Sequence, residues 1–192
     1  MLRATLILLS LIILLLVNTF NGVSAEFDPK NPRVEDRLAI EDLLTRYCHS
    51  VDTKNWSEFA KLFTDDARID YTASFMGEVG NVKQMTRFLS DSMMMFSLTI
   101  HVWTNAEIQF TGPNEAYVRA HLINPMYIYG FPVYPLFTIR GYYHHTMTKG
   151  SDGVWRSKHL KQELTTPWHN QVIGIVLFVT ILWKTRRQGG RA

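Results

Sequence analysis

The sequence predicts one α+β domain in which three helices precede a curved, mixed or antiparallel sheet. Apolar residues recur mainly at helical spacing between residues 34 and 95. From residue 98 onward, four stretches are instead rich in β-branched and aromatic residues, and turn-forming residues separate them. Helices on one face of such a sheet enclose a half-open cone with an apolar interior, and cavities of that kind bind ligands.

Three segments have the pattern of amphipathic helices, at 34–51, 55–63 and 81–95. Pro32 stands just before the first segment, where the start of a helix tolerates proline. The alternating stretch 67–71 predicts a first strand ahead of the third helix. The later strands are predicted over residues 98–110, 115–123, 135–148 and 154–164.

The composition is that of an ordinary globular domain. Hydrophobic residues make up 46% of the 192 residues, so a core can form. The formal charge is +3, and much of the positive charge lies at the C-terminal end rather than along a central stripe, which argues against nucleic-acid binding. The histidines lack the ligand spacing of a zinc site, so we predict no metal. Cys48 is the only cysteine, and we predict that it is a buried apolar residue.

The N-terminal segment has the layout of a secretory signal peptide. Arg3 precedes an apolar run over 4–17, and small residues end at Ala25, so we predict a signal peptide over 1–25 and a linker over 26–32. An uncleaved anchor is the alternative. In the secretory pathway, Asn55 would be the acceptor of a glycosylation sequon.

We predict that the domain is either secreted or held on the extracytoplasmic side of a membrane by an anchor in the C-terminal segment 169–192. Residues 172–183 are apolar and a basic stretch follows them, as in a stop-transfer segment. Twelve helical residues reach only about 18 Å, short of a hydrocarbon core of about 30 Å. The alternative is a terminal strand or helix packed on the domain.

The stretches "RLAIEDLLTRYCHSVDTKNW", "FTDDARIDY" and "DGVWR" resemble SnoaL-like domains of the nuclear transport factor 2-like superfamily, nearest the scytalone dehydratase branch. The resemblance extends over residues 33–168 and implies the cone-shaped fold. Because this superfamily contains dehydratases, isomerases, cyclases, hydrolases and non-catalytic binders, the fold alone does not choose a function.

The resemblance implies three catalytic residues, Asp52, Tyr71 and His101. A histidine titrates near neutral pH and can move a proton, and a carboxylate can orient it. A tyrosine hydroxyl can stabilise a developing oxyanion. The residues alone leave other interpretations open, because Asp52 could instead cap the second helix and the other two could be core residues.

Other positions depart from the scytalone dehydratase pattern. Val51 replaces a tyrosine and Met126 replaces a second pocket histidine, for which His121 would substitute in a different strand register. An amide on the following strand is replaced by His144 or a neighbour, and adjacent strand residues cannot both face inward. We predict that these three residues, His121, Met126 and His144, bind the substrate together with Trp103.

Two functions remain open at this level. The first is enzymatic: cofactor-independent proton transfer, as in a lyase that dehydrates or an isomerase, on a small apolar carbonyl or hydroxyl compound. The second is a non-catalytic module of the same fold that binds a lipid-like, steroid-like or polyketide-like molecule or serves as an interaction domain. A homodimer formed through the sheet is a further expectation.

Overall fold

The computed structural model describes residues 32–74, 77–128 and 137–165. The chain divides into two compact units, Met1–Pro32 and Arg33–Ala192, and the description below concerns the second. The predicted signal peptide and the apolar tail over 172–183 lie outside the described residues and remain predictions. Among the helices that are described, none is long and apolar enough to cross a membrane.

Helices and strands follow the predicted order along the second unit. The helices are α1 (Val34–Asp52), α2 (Trp56–Lys61) and α3 (Val82–Met93). The strands are β1 (Phe63–Asp70), β2 (Val79–Asn81), β3 (Phe96–Thr99), β4 (Val102–Gly112), β5 (Glu115–Ile128), β6 (Phe137–Lys149) and β7 (Trp155–Leu164).

The strands form one mixed sheet in the order β2-β1-β7-β6-β5-β3, and β4 also pairs with β5. The β1–β7 pair is parallel, whereas the other pairs are antiparallel. The predicted fold class, an α+β domain with a mixed curved sheet, is therefore confirmed.

One strand predicted over 98–110 is divided into β3 and β4. Both pair with β5. Strand β3 pairs with it near Met126, and β4 pairs with it from Ile123 back to Glu115. Between these points β5 carries Pro125, which has no N–H to donate, although its carbonyl accepts from the N–H of Ile100. Ile100 and His101 lie between the two strands, and the candidate site is at this junction.

The start of β1 was predicted too late, at residue 67 instead of Phe63. Phe63 pairs with Ser157 of β7, and the N–H of Ser157 donates to the carbonyl of Leu62 at 2.8 Å. This contact joins residues that are distant in the sequence, so local alternation does not reveal it.

The core lies between the helices and one face of the sheet. Ile40, Leu43 and Phe59 from the helices and Leu122 and Leu160 from the strands are all at most 1% exposed. Apolar residues at helical and alternating spacings thus meet in one contiguous cluster. Cys48 belongs to this cluster, and burial raises the pKa of its thiol to about 12, so it is an apolar core residue as predicted.

Candidate active site

Asp52 and His101 form a direct pair where the end of α1 meets the junction of β3 and β4. Oδ1 of Asp52 lies 2.6 Å from Nδ1 of His101. The His101 side chain is 5% exposed and that of Asp52 is 22% exposed, so the pair is mostly shielded from water. The structure thus brings together two of the three predicted catalytic residues.

Local backbone geometry explains how the pair forms. Asp52 is the last residue of α1, and because the N–H of Ile100 points toward β5, the alternation of the strand directs the N–H of His101 away from β5. That N–H donates to Oδ2 of Asp52 at 2.8 Å, and the hydroxyl of Thr99 donates to Oδ1 at 2.9 Å. Lys54, just beyond the helix, donates to the carbonyl of Phe96 on β3 and holds these elements together.

These contacts exclude the alternative in which Asp52 caps the second helix. Asn55 is the N-cap of α2, and its side chain accepts from the N–H of Glu58 at 3.1 Å. Asn55 is exposed, and its glycosylation remains a prediction.

The hydrogen bonds determine which ring nitrogen of His101 carries the proton. An ionised carboxylate only accepts, so Nδ1 of His101 must donate to Asp52. In the neutral imidazole, Nε2 then holds a lone pair. The side-chain Nδ2 of Asn124 lies 2.8 Å from this Nε2 and donates to it. His101 is therefore held at both nitrogens with Nε2 as its basic atom.

Three tyrosine hydroxyls meet beside this pair. The Tyr47 hydroxyl lies 2.7 Å from that of Tyr71 and 3.3 Å from that of Tyr143. The ring of Tyr47 lies edge-on to that of His101, with 6.4 Å between centroids. Burial raises the pKa of all three tyrosines, so each remains a neutral hydrogen-bond donor near pH 7. Tyr71 is therefore linked to His101 through Tyr47, which bonds to the Tyr71 hydroxyl and packs against the His101 ring.

His145 lies on the inner face of β6, against the tyrosine cluster. It is fully buried, and the centroid of its ring is 6.2 Å from that of Tyr47. Its Nδ1 is 3.0 Å from the hydroxyl of Ser157. Burial lowers the pKa of His145 to about 3, so the ring is neutral at physiological pH.

Two predicted substrate-binding residues, His121 and His144, lie on the outer face of the sheet, away from the core. His121 is exposed, and its ring packs edge-on against Tyr142. His144 bonds to the Tyr117 hydroxyl at 2.6 Å and to the Glu163 carboxylate at 2.8 Å. Leu122 and Asn124 face the core on β5, so the alternation of the strand turns the odd-numbered His121 outward. The same alternation on β6 turns His145 inward and His144 outward.

The other two predicted binding residues lie on the inner side. Met126 is 2% exposed and packs with Phe96. Trp103 is half-buried, pairs with Leu122 and contacts the main core. Their binding role remains a prediction.

The sequence interpretation missed Asn124, Tyr47 and Tyr143. Asn124 shares its strand face with Leu122 and Met126, so it is a polar residue at an inward position, and such residues need a partner. Tyr47 stands on the apolar stripe of α1, where its hydroxyl also requires a partner. Asn124 and Tyr47 can therefore be recognised in the sequence as polar groups that need a partner, once it is known which faces of β5 and α1 are buried.

No cluster of three or more His, Cys, Asp or Glu side chains suited to a metal occurs in the described parts of the chain. A separate groove of about 720 Å³ lies between α2, α3 and β1, with Trp56, Lys83 and Arg87 in its walls. None of the predicted site residues lines it.

An α+β domain whose helices cover a mixed curved sheet is the fold of the nuclear transport factor 2-like superfamily. The sequence profile of the SnoaL-like domain matches residues 32–161. The chain therefore belongs to the SnoaL-like family, and the predicted resemblance is confirmed. Domains of this fold commonly bind small molecules.

Solved structures with this fold include enzymes. A protein of Novosphingobium aromaticivorans, provisionally assigned as a scytalone dehydratase, has a TM-score of 0.62 and is 25% identical, over 70% of this chain and 87% of its own. A hexachlorocyclohexane dehydrochlorinase of Novosphingobium barchaimii has a TM-score of 0.59 at 20% identity, over 70% of this chain and 89% of its own. At 20% identity the second likeness shows the fold alone.

Curated relatives come from mycobacteria. An uncharacterized protein of Mycobacterium tuberculosis is 31% identical over 97 residues, which are 50% of this chain and 65% of the relative. The same match is found in Mycobacterium bovis. The chain thus spans 65% of the length of these relatives.

Proposed function

We propose that this domain catalyses cofactor-independent proton transfer on a small, largely apolar carbonyl or hydroxyl compound, followed by dehydration or isomerisation. The observation that carries the proposal is the 2.6 Å contact between Asp52 and Nδ1 of His101, which leaves Nε2 as the basic atom. A histidine oriented by a carboxylate at Nδ1 is a general base, and this contribution amounts to roughly 10²–10⁴-fold in rate.

The chemistry follows from this geometry. Nε2 of His101 takes a proton from a carbon next to a carbonyl, and the Asp52 carboxylate stabilises the imidazolium that forms. The electron pair of the broken C–H bond passes to the carbonyl oxygen as an enolate. Neutral tyrosine hydroxyls in the same core are suited to stabilise that oxygen, either directly or through water. In a dehydration the enolate then expels the hydroxyl of the β-carbon, which takes the proton from Nε2 of the imidazolium and leaves as water. In an isomerisation the imidazolium returns the proton to another carbon.

The test measures the first proton transfer without requiring the natural substrate. The full chain is incubated with β-tetralone in D₂O, and exchange of the α-protons is followed by ¹H NMR. We expect exchange above the buffer rate, and we expect Asp52→Asn or His101→Gln to lower it by roughly 10²–10⁴-fold. His121→Gln is the matched control, because His121 is exposed on the opposite face of the sheet.

Exchange that is unchanged in His101→Gln would contradict the proposal. Saturable binding of β-tetralone without exchange would instead support the non-catalytic module. The test can therefore decide between the two functions left open by the sequence.

A further inference from the structure

The side chain of Asn124 has one amide atom in use and one without a partner. Its Nδ2 bonds to Nε2 of His101 at 2.8 Å, and the residue is 3% exposed. Its Oδ1 is buried and has no hydrogen-bond partner within residues 32–74, 77–128 and 137–165. A buried acceptor without a partner is unusual in folded proteins and calls for an explanation.

The orientation of this amide follows from the protonation of His101. Because Nδ1–H donates a hydrogen bond to Asp52, the neutral ring offers a lone pair at Nε2, and only the NH₂ group of Asn124 can bond to it. Oδ1 is attached to the same carbon as Nδ2, so it is an unused acceptor next to the basic nitrogen.

Proton uptake by His101 reverses this arrangement. When Nε2 carries a proton, it faces the NH₂ of Asn124 with two donors in contact, and a half-turn of the amide replaces that contact with a bond from Nε2–H to Oδ1. The atom left over is then Nδ2, which is a donor. The unused atom of Asn124 is thus an acceptor before proton transfer and a donor after it.

We propose that Asn124 binds a hydroxyl group of the substrate, beside the carbon from which His101 takes the proton. A hydroxyl both donates and accepts, so it satisfies Asn124 in both orientations, whereas a halogen or an ether oxygen cannot donate. When the Asn124 amide turns away from Nε2 so that the substrate C–H can approach, the same hydroxyl replaces the hydrogen bond that the amide loses. Asn124 then determines specificity and selects hydroxylated compounds. This inference rests on the proposed function, since it places the hydroxyl at the reacting carbon.

The test compares two probes that differ in one group, β-tetralol and β-chlorotetralin, with dissociation constants measured on the full chain by ligand-observed NMR. We expect the affinity ratio of alcohol to chloride to fall roughly 3–10-fold in Asn124→Leu, which is the usual effect of one neutral hydrogen bond. His121→Leu, on the outer face, is the control and should leave the ratio unchanged.

A second measurement uses the wild-type chain, in case Asn124→Leu does not fold. The ¹⁵N–¹H signals of the Asn124 NH₂ group should shift with the alcohol and remain in place with the chloride. An unchanged ratio, unmoved amide signals, or no saturable binding of the alcohol would overturn the inference. Neither measurement needs turnover, so a fall in the ratio without β-tetralone exchange would retain hydroxyl recognition while rejecting the catalytic proposal.

Discussion

Individual residues in this core have properties that depend on what surrounds them more than on their chemical type. His101 and His145 both have largely buried side chains near Tyr47. His101 has a carboxylate at Nδ1, which can hold an imidazolium, whereas His145 has only the hydroxyl of Ser157. The first is thus equipped to accept a proton, and the second is kept neutral by burial.

The neutrality of His145 has a measurable effect on stability. Its pKa is about 3 in the folded chain against an ordinary value of 6.5, so below pH 6.5 the unfolded chain binds one more proton. The free energy of unfolding should therefore fall as the pH drops from 6.5 toward 3. Between pH 7 and pH 5 this group should contribute a loss of roughly 2 kcal/mol.

His145→Leu should lack that loss, and urea unfolding at the two pH values measures it. Ser157 retains a hydrogen bond to the carbonyl of His159 in this variant. His49→Leu is the control, because His49 is exposed. Parallel pH dependences for His145→Leu and the wild type would show that His145 titrates normally.

At the scale of elements, Asp36 joins the start of α1 to the far end of the sheet. Its carboxylate accepts from Nε1 of Trp155 at 2.8 Å, from Nζ of Lys149 at 2.9 Å and from the guanidinium of Arg33 at 2.7 Å. Burial by itself would raise the pKa of Asp36, but these three donors outweigh it and lower the pKa to about 2. The first turn of α1 thereby fixes the helix that delivers Asp52 at its other end.

Asp36→Ala should lower the free energy of unfolding by roughly 2–4 kcal/mol, because it removes several charged hydrogen bonds and leaves mostly buried donors without a partner. Urea unfolding at pH 7 measures this change. Since the folded pKa lies below the ordinary 3.8, the stabilisation is present above pH 3.8 and is lost as the pH falls toward 2.

The matched control for Asp36 is Asp42→Ala on the same helix. Asp42 pairs with Arg46, but its side chain is 64% exposed, so the expected change is below about 1 kcal/mol. Equal losses in the two variants would mean that Asp36 does not anchor the helix.

At the scale of the whole molecule, we propose from the predicted signal peptide and the apolar run over 172–183 that the domain enters the secretory pathway. The run would hold it to a membrane, with Lys184 and the basic end on the cytosolic side. A run of twelve residues leaves a mismatch of about 12 Å, which costs a fraction of a kcal/mol per Å. Tryptophans near both ends and the long stem of Lys184 would offset part of that cost.

Fractionation of cells that express the full chain, compared with a chain ending at Asn170, tests this expectation. We expect carbonate extraction to release the shorter chain alone, because it lacks the apolar run. If both chains are released, the tail is not an anchor.

The sequence by itself determined the elements that depend on near neighbours. The apolar spacing over 34–51 produced α1, which ends one residue later at Asp52, and the change to β-branched and aromatic residues produced the long strands. Asp52 and His101 were named through the family resemblance, and the structure places them in contact. Their catalytic role remains a prediction.

Only the tertiary structure decided which side chains share the interior. Alternation along β5 and β6 shows that His121 and Asn124 lie on opposite faces, and likewise His144 and His145, but it does not show which face the helices cover. That choice depends on how α1 packs on the sheet, through contacts between residues far apart in the sequence. The hydrogen bond from the His101 N–H to Asp52 arises in the same way, since it connects the junction of β3 and β4 to the end of a helix 49 residues earlier in the chain.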